Sequence, residues 1–330
     1  MKSYIFLALI ITVFFNGCST KEVFEPKEVA ADWEKYEESK VNIIDTAANV
    51  ALLEDGRVLT NSGILSLDIN ATDRVISQSN GWIITANIDG NLTLISENNS
   101  SITEKFELKK SIAGASVSDN TLAVLFADNE IALYKISSKT ILFKEQGSKY
   151  VVADSRIVNP YFMKGVVLFA TLDGKVVFVN TKLNKRLRTV IISSEENFNN
   201  VISLNIVENK IIAATSYTIL SMAKKEVRVK YEIRNIVYDA HTIFIATKQG
   251  EVISLSSNLD INLKVKFPFA HFYGMIADEK NLYILEKEGY MIVINKETFE
   301  YSVHEVDFDD GFIFNDGKKF YIEDKKIFTE

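Results

Sequence analysis

The chain has 330 residues, of which 47% are hydrophobic and 25% charged, a balance typical of a globular protein with a sizeable core. Its formal net charge of −7 argues against a nucleic-acid partner, because such proteins carry basic faces. Cys18 is the only cysteine, so no disulfide within the chain can stabilise the fold.

The first 17 residues have the pattern of a secretory signal. Lys2 precedes an apolar run over residues 4–15, which is shorter than the ~20 residues that a spanning helix needs. The run leads into Phe15-Asn16-Gly17-Cys18-Ser19, which resembles a bacterial lipobox, although Phe15 and Asn16 depart from its usual residues. We therefore expect a signal peptide at 1–17 and lipidation of Cys18. The alternative is an ordinary cleaved signal with a leftover cysteine.

The next segment reads as a tether. Residues 18–40 are rich in charge, and Pro26 is a possible start of a short helix. Fully extended, such a tether would reach up to ~75 Å. Because Ser19 rather than Asp follows the cysteine, the resemblance to bacterial sorting signals implies the outer membrane, with the protein on the periplasmic face.

From about residue 41 the chain repeats a β-hairpin. The clearest copy, at 165–180, has two alternating apolar strands around Asp173-Gly174, which predicts a type I′ turn. Similar hairpins lie at 57–68, 81–96, 121–136, 210–222, 242–255, 281–295 and 318–329. Further strands before and after each hairpin give the four-stranded repeat of a propeller blade. The sequence thus predicts an all-β chain with a single β-propeller at 41–330.

The two ends of the repeat region suggest how the ring closes. The last copy lacks an outer strand, and residues 41–45 form an isolated strand before the first copy, so we expect 41–45 to complete the last blade. Because the chain between the first and second copies is short, we expect the first blade to lack an outer strand of its own. The eight hairpins favour eight blades. The alternative is seven blades, in which the first and last copies together form one blade.

Two of the repeats support a resemblance to a known family. Residues 88–95 and 172–180 follow the strand, Asp-Gly, strand pattern of quinoprotein-type (PQQ-repeat) propellers, and with an N-terminal lipid anchor the chain resembles the BamB family of outer-membrane assembly lipoproteins. The resemblance implies a scaffold without catalysis that docks on the outer-membrane β-barrel assembly machinery. Only Trp33 and Trp82 are present, whereas quinoprotein repeats place a tryptophan in each blade, so no quinone cofactor is expected.

The chain offers few residues for chemistry. Its three histidines, His241, His271 and His304, show no metal-ligand spacing, and no catalytic, phosphate-binding or dinucleotide motif occurs, so we expect no cofactor and no metal. Basic clusters at 182–188 and 224–225 are either solvated loops or contacts for an acidic partner or lipid headgroups.

Two aromatic runs near blade entrances complete the candidates. They are either core or protein-binding surface, and the possible binding residues are Tyr161, Phe162, Phe267, Phe269, Phe272 and Tyr273. The leading interpretation is a non-enzymatic scaffold for envelope proteins. The alternatives are a propeller that binds or hydrolyses a sugar or peptide at its channel mouth, and a lipoprotein partner of an unrelated envelope machine. Convergent acids or histidines at that mouth would favour the enzyme.

Overall fold

The computed structural model describes residues 22–39, 41–67, 69–150, 154–194 and 199–329. Within these ranges the chain forms eight four-stranded antiparallel sheets and no helix, so none of the described residues belongs to a membrane-spanning helix. The predicted signal peptide and Cys18 lie outside the described residues.

The first four sheets follow one another along the chain. Blade one contains β2 (Ile43–Thr46), β3 (Val50–Leu53), β4 (Val58–Thr60) and β5 (Gly63–Leu65), and blade two contains β6 (Arg74–Ser79), β7 (Trp82–Ala86), β8 (Asn91–Ser96) and β9 (Thr103–Glu107). Blade three contains β10 (Ile112–Ser118), β11 (Thr121–Phe126), β12 (Glu130–Lys135) and β13 (Ile141–Gln146), and blade four contains β14 (Tyr161–Met163), β15 (Val166–Ala170), β16 (Lys175–Asn180) and β17 (Lys185–Ile191).

The remaining sheets continue the series and end with the N-terminal strand. Blade five contains β18 (Ser203–Val207), β19 (Lys210–Ala214), β20 (Thr218–Met222) and β21 (Glu226–Lys230), and blade six contains β22 (Ile233–Tyr238), β23 (Thr242–Thr247), β24 (Glu251–Ser256) and β25 (Ile261–Lys266). Blade seven contains β26 (Phe272–Ala277), β27 (Asn281–Glu286), β28 (Tyr290–Asn295) and β29 (Tyr301–Glu305), and blade eight contains β30 (Ile313–Asn315), β31 (Lys319–Ile322), β32 (Lys325–Phe328) and β1 (Tyr36–Glu38).

The blades form a closed ring. At seven of the eight junctions between neighbouring blades, the first strand of one blade lies against the first strand of the next, which places these strands around the axis. Eight buried apolar clusters each join two neighbouring blades, including one between blades eight and one that contains Phe314 and Leu59. Five fully buried phenylalanines belong to these clusters: Phe126, Phe169, Phe244, Phe272 and Phe320. The prediction of an eight-bladed propeller is therefore confirmed.

An N-terminal strand closes the ring, but it is not the one we expected. β1 pairs with β32 as the outer strand of blade eight, with Tyr36 opposite Ile327. The prediction that residues 41–45 do this is wrong, since β2 is the innermost strand of blade one. Residues 41–45 are more apolar than residues 36–38 and therefore look more like a strand in the sequence. An outer strand faces water, however, and needs no apolar run.

Blade one is also complete, contrary to our expectation that it lacks an outer strand. The turn at Ser62-Gly63 joins the third and fourth strands, whereas Asp55-Gly56 lies in the turn between the second and third. The strands of this blade have only three or four residues. Two successive hairpins therefore fit into a stretch of sequence in which only one was predicted.

The hairpin turns differ in detail from type I′. Gly90 and Gly174 have positive φ (84° and 77°), but the aspartates before them do not. Instead, the amide of Gly90 donates to the carbonyl of Asn87 (3.2 Å), and the amide of Asn87 donates to Asn91 across the end of the strands (3.0 Å). This is a type I turn followed by one left-handed residue, a frequent longer hairpin loop.

Residues 22–39, here called the N-terminal strap, run along the outer edges of blades six to eight. Phe24 is buried between Phe267 and Tyr290 (ring centroids 6.0 and 5.6 Å away). The amide of Ala30 donates to Val303 (2.8 Å) and that of Trp33 to Glu305 (2.7 Å), after which the strap becomes β1. The described strap contains no helix at Pro26, and it is held on the propeller at Phe24, Ala30, Trp33 and β1.

Candidate partner-binding surfaces

The outer strand of blade four, with the turn before it, forms the most unusual exposed edge among the described blades. This blade-four edge comprises residues 182–191. All residues of β17 except Val190 are exposed. Leu183, Leu187 and Ile191 are 61%, 50% and 51% exposed. β17 is the one described outer strand that holds two large exposed apolar side chains, and apolar side chains clustered in this way mark an interaction surface.

Basic residues surround these apolar side chains. The guanidinium of Arg186 pairs with Glu145 (2.7 Å), and that of Arg188 stacks on Phe178 (4.4 Å), so both are fixed in place. Lys182 and Lys185 are exposed and have no partner among the described residues. Because the chain as a whole is acidic, this edge has a charge opposite to that of the molecule.

The two basic clusters of the sequence begin at corresponding turns of adjacent blades. The turn at 181–184 joins the third and fourth strands of blade four, and the turn at 223–225, which contains Lys224 and Lys225, does the same in blade five. Corresponding turns of adjacent blades lie on the same rim. Arg228 of blade five also donates to the carbonyl of Ile191 (2.6 Å), which covers one end of the blade-four edge.

A second exposed surface lies where the strap meets blades six and seven. A groove of about 1160 Å³, here called the strap groove, is lined by residues 22–30, 266–269 and 301–303. Four apolar side chains along it are well exposed: Val23, Val29, Phe269 and Tyr301. Two lysines, Lys27 and Lys266, line it with three glutamates, Glu22, Glu25 and Glu28, so the charges along the groove nearly cancel.

The six aromatic residues proposed for partner binding occupy four environments. Phe267 and Phe272 are buried between blades six and seven and offer no surface, whereas Phe269 is 58% exposed at the strap groove. The hydroxyl of Tyr273 hydrogen-bonds the backbone of Gly311 and its ring stacks on Phe308, which makes it part of the packing between blades seven and eight. Tyr161 and Phe162 belong to the innermost strand of blade four, and Tyr161 is exposed there.

A polar network crosses the channel mouth from blade four to blade six. The carboxylate of Asp154 accepts from Arg156 (2.6 and 2.9 Å) and from the hydroxyl of Ser216 (2.8 Å). Arg156 also donates to the backbone carbonyl of Arg234 (2.7 Å), on the innermost strand of blade six. Asn200 binds the backbone of Asp154 and Arg156 on the side of blade five (2.8 Å to the carbonyl of Arg156). The network ties three blades together.

The surroundings lower the pKa of two groups in this network, Asp154 and Arg234. Burial acts to raise the pKa of Asp154, but hydrogen bonds and the charge of Arg156, with a further bond from Ser216, outweigh it and lower the pKa to about 2. Burial, together with the nearby charge of Arg156, lowers the pKa of the Arg234 guanidinium. A carboxylate this acidic is ionised at neutral pH and is a poor general acid or base there.

The three histidines lie apart. His241, highly exposed, faces Glu208 (3.3 Å) between blades five and six, whereas the Nδ1 atom of His304 lies 2.8 Å from the carbonyl of Ala31 in the strap. His271 precedes β26, and its backbone amide donates to the buried carboxylate of Glu286 (2.7 Å). Among the described residues, no group of three or more His, Cys, Asp or Glu is arranged to hold a metal ion.

Sequence reasoning missed the channel-mouth network. Its members come from connections that the repeat pattern leaves unassigned, and their meeting depends on the ring geometry. One local signal was available, because Asp154 and Arg156 form an Asp-x-Arg pair of the kind also present at Asp55 and Arg57.

Comparison with known proteins gives two kinds of likeness. No family model matches the chain. The chain is 29% identical over 354 residues to plasminogen-binding protein PgbB of Helicobacter pylori strain J99, covering 92% of this chain and 65% of that protein. PgbB of strain 26695 is 28% identical over 351 residues with the same coverage. The chain thus spans about 65% of the length of these curated relatives.

Solved structures share the propeller. BamB from Moraxella catarrhalis superposes with a TM-score of 0.68 at 11% identity, covering 88% of this chain and 98% of that one. Apo AztD from Citrobacter koseri gives a TM-score of 0.58 at 10% identity, covering 81% and 86% of the two chains. At such identities the likeness shows the fold alone, and for the fold it confirms the resemblance to BamB.

Proposed function

We propose that this chain is a non-enzymatic, protein-binding propeller of the bacterial cell envelope, and that it binds a partner protein at the blade-four edge. The observation that carries the proposal is the combination on the blade-four edge of an open strand edge, two large exposed apolar side chains and two exposed lysines without a partner among the described residues. Other described outer strands have an open edge as well, but none has all three features.

The edge suggests the chemistry of its partner. An extended segment that pairs with β17 would satisfy the open backbone hydrogen bonds of the edge strand. Its apolar side chains would meet Leu187 and Ile191, and acidic side chains would meet Lys182 and Lys185. We therefore propose an acidic, extended polypeptide segment as the ligand. Electrostatic attraction of this kind raises the association rate and selects against basic competitors.

Charge reversal at the edge tests this proposal. Lys182→Glu with Lys185→Glu is expected to lower recovery of the partner roughly tenfold in crosslinked affinity purification from membranes, since each ion pair contributes up to about 1 kcal/mol. Lys105→Glu with Lys109→Glu on blade two makes the same change in net charge and should leave recovery unchanged. An equal loss in both variants would show that overall charge, not this edge, governs binding.

We propose further that the chain is held at the outer membrane, on its periplasmic face, by lipid on Cys18. The lipobox-like sequence around Cys18 supports this. Metabolic labelling with a fatty-acid analogue should mark the wild-type chain and not Cys18→Ala, and the variant should move from the membrane to the soluble fraction. A labelled Cys18→Ala variant would refute the anchor.

The partner class that we propose is an envelope protein, with the outer-membrane β-barrel assembly machinery as the first candidate. The support is a propeller fold combined with a lipoprotein-like N-terminus. If the barrel-assembly proteins never copurify with the wild-type chain after crosslinking, this partner assignment fails while binding at the blade-four edge remains open to other partners.

A second candidate function is plasminogen binding. It is favoured by the alignment with PgbB, which runs over 92% of this chain. Surface plasmon resonance with purified plasminogen tests it directly. Saturable binding would support it, and no binding at micromolar concentration would remove it.

The enzyme alternative receives less support from the channel mouth. Ser216 donates to an ionised aspartate, and the network among the described residues includes no histidine side chain that would activate the hydroxyl as a nucleophile. The arrangement suits a structural tie between blades.

A further inference from the structure

The strap leaves very little free chain between the proposed lipid and the propeller. Phe24 is buried, and Ala30 and Trp33 are hydrogen-bonded to the outer strand of blade seven. Phe24 lies only six positions after Cys18 in sequence, which limits the distance between them to ~20 Å. A tether that was free along 18–40 would have allowed ~75 Å.

The short connection determines which part of the propeller lies near the membrane. Phe24 sits at the outer edge of blades six and seven, so that edge is held close to the bilayer. In an eight-bladed ring, blade three lies opposite blade seven, and blades two and four lie three positions away from it. A propeller held at one edge therefore turns blades two to four away from the lipid.

The strap groove lies at the tethered edge and has the composition of a membrane-interface surface. Phe269 and Tyr301 are 58% and 54% exposed, and Val23 and Val29 extend the apolar strip along the strap. Aromatic side chains favour the headgroup region, where an apolar ring and water are both within reach. An exposed apolar strip next to a lipid attachment point gains free energy when the bilayer covers it.

We propose that the propeller sits edge-on against the bilayer, with the strap groove as its lipid-contacting surface. The inference rests on the proposed lipid anchor at Cys18. It assigns opposite roles to two edges: blades six and seven face lipid, and the blade-four edge is free to meet protein. The glutamates beside the groove offset Lys27 and Lys266, so contact depends on the apolar side chains and not on anionic lipid.

Site-specific fluorescence in membranes tests the orientation. Cys18 is the only cysteine and the lipid occupies it, so Phe269→Cys, Ile88→Cys and Leu187→Cys each offer one thiol for an environment-sensitive dye. The lipidated full chain is reconstituted in phosphatidylcholine vesicles that contain lipid with a spin label in the headgroup region. Ile88, in blade two, and Leu187, in blade four, are exposed controls.

The expected result is at least threefold stronger quenching at position 269 than at positions 88 and 187, with no dependence on added phosphatidylglycerol. Equal quenching at the three positions, or stronger quenching at 88 or 187, would overturn the edge-on orientation while leaving the anchor intact. A wild-type chain that carries no lipid and does not float with the vesicles would refute the anchor, and the orientation with it.

Discussion

Asp154 and Asp55 each lie two residues before an arginine that binds them, but they differ in burial. The Asp154 side chain is 17% exposed and shares its carboxylate with Ser216, whereas Asp55 and Arg57 form a pair that is exposed on both sides. Surface pairs contribute little to stability because water and salt screen them, and a buried carboxylate depends on its partners. The Asp-x-Arg pair at Asp154 is therefore expected to contribute more to the free energy of unfolding than the pair at Asp55.

This difference predicts how stability responds to acid. The pKa of Asp154 is lowered from 3.8 to about 2, so its contribution is present above about pH 4 and is lost as the pH falls towards 2. Between pH 4 and pH 2, the free energy of unfolding of the wild type, measured in urea, is expected to fall by up to about 2 kcal/mol more than that of Asp154→Asn.

Asp55→Asn provides the matched control. It removes the same kind of Asp-x-Arg pair from an exposed turn, and its unfolding free energy should follow the wild type from pH 6 to pH 2.5. Parallel pH curves for the wild type and Asp154→Asn would contradict the assigned role of Asp154.

At the scale of elements, one turn design recurs between the second and third strands of most blades. Gly250, in blade six, has φ near 76°, and a Cβ there would collide with the carbonyl of Phe267. The amide of Phe267 also donates a hydrogen bond to the carbonyl of Gly250 (2.7 Å). This turn therefore packs directly against the connection to the next blade. Gly81 has a similar φ of 81° but open space around it.

The two glycines separate backbone strain from crowding. Gly81→Ala should lower the unfolding free energy by about 1 kcal/mol, the approximate penalty for a left-handed alanine. Gly250→Ala should lower it by about 1–3 kcal/mol more, because a packed connection must also shift. Equal losses in chemical denaturation would show that the close approach is not energetically important.

How far the elements follow from sequence depends on their environment. Hairpins with short apolar runs on either side of an Asp-Gly turn, such as 165–180, are predicted almost to the residue, since both strands are buried and the turn marks where they part. β1 is not predictable in this way, because its three residues, Tyr36 to Glu38, are all exposed and carry no apolar pattern. Its position follows from the open edge of β32, which is a property of the closed ring.

The same limit applies to the candidate sites. The basic run at 182–188 was visible in the sequence, but that Leu187 and Ile191 are exposed beside it could be known only once β17 was placed at the outer edge. Of the two aromatic runs, the sequence could not separate exposed Phe269 from buried Phe267, since both lie in a connection without strand alternation.

At the scale of the whole molecule, the strap links closure of the ring to its attachment. Residues 22–39 bury Phe24 between blades six and seven, follow blade seven and complete blade eight. Closure protects sheet edges and inter-blade cores that an open ring would expose. The proposed lipid therefore pulls on a segment that is part of the fold, and the orientation of the propeller follows from its topology.

The central claim is that partner protein binds at the blade-four edge, and photo-crosslinking in intact cells tests it most directly. A photoreactive amino acid at position 187 is compared with one at position 227, since Val227 is an exposed residue on the neighbouring outer strand β21. We predict a strong adduct at 187 that maps by mass spectrometry to an acidic, extended segment and disappears with Lys182→Glu and Lys185→Glu. Adducts of equal strength at 187 and 227, or an adduct at 187 that persists in the charge-reversed variant, would contradict the claim.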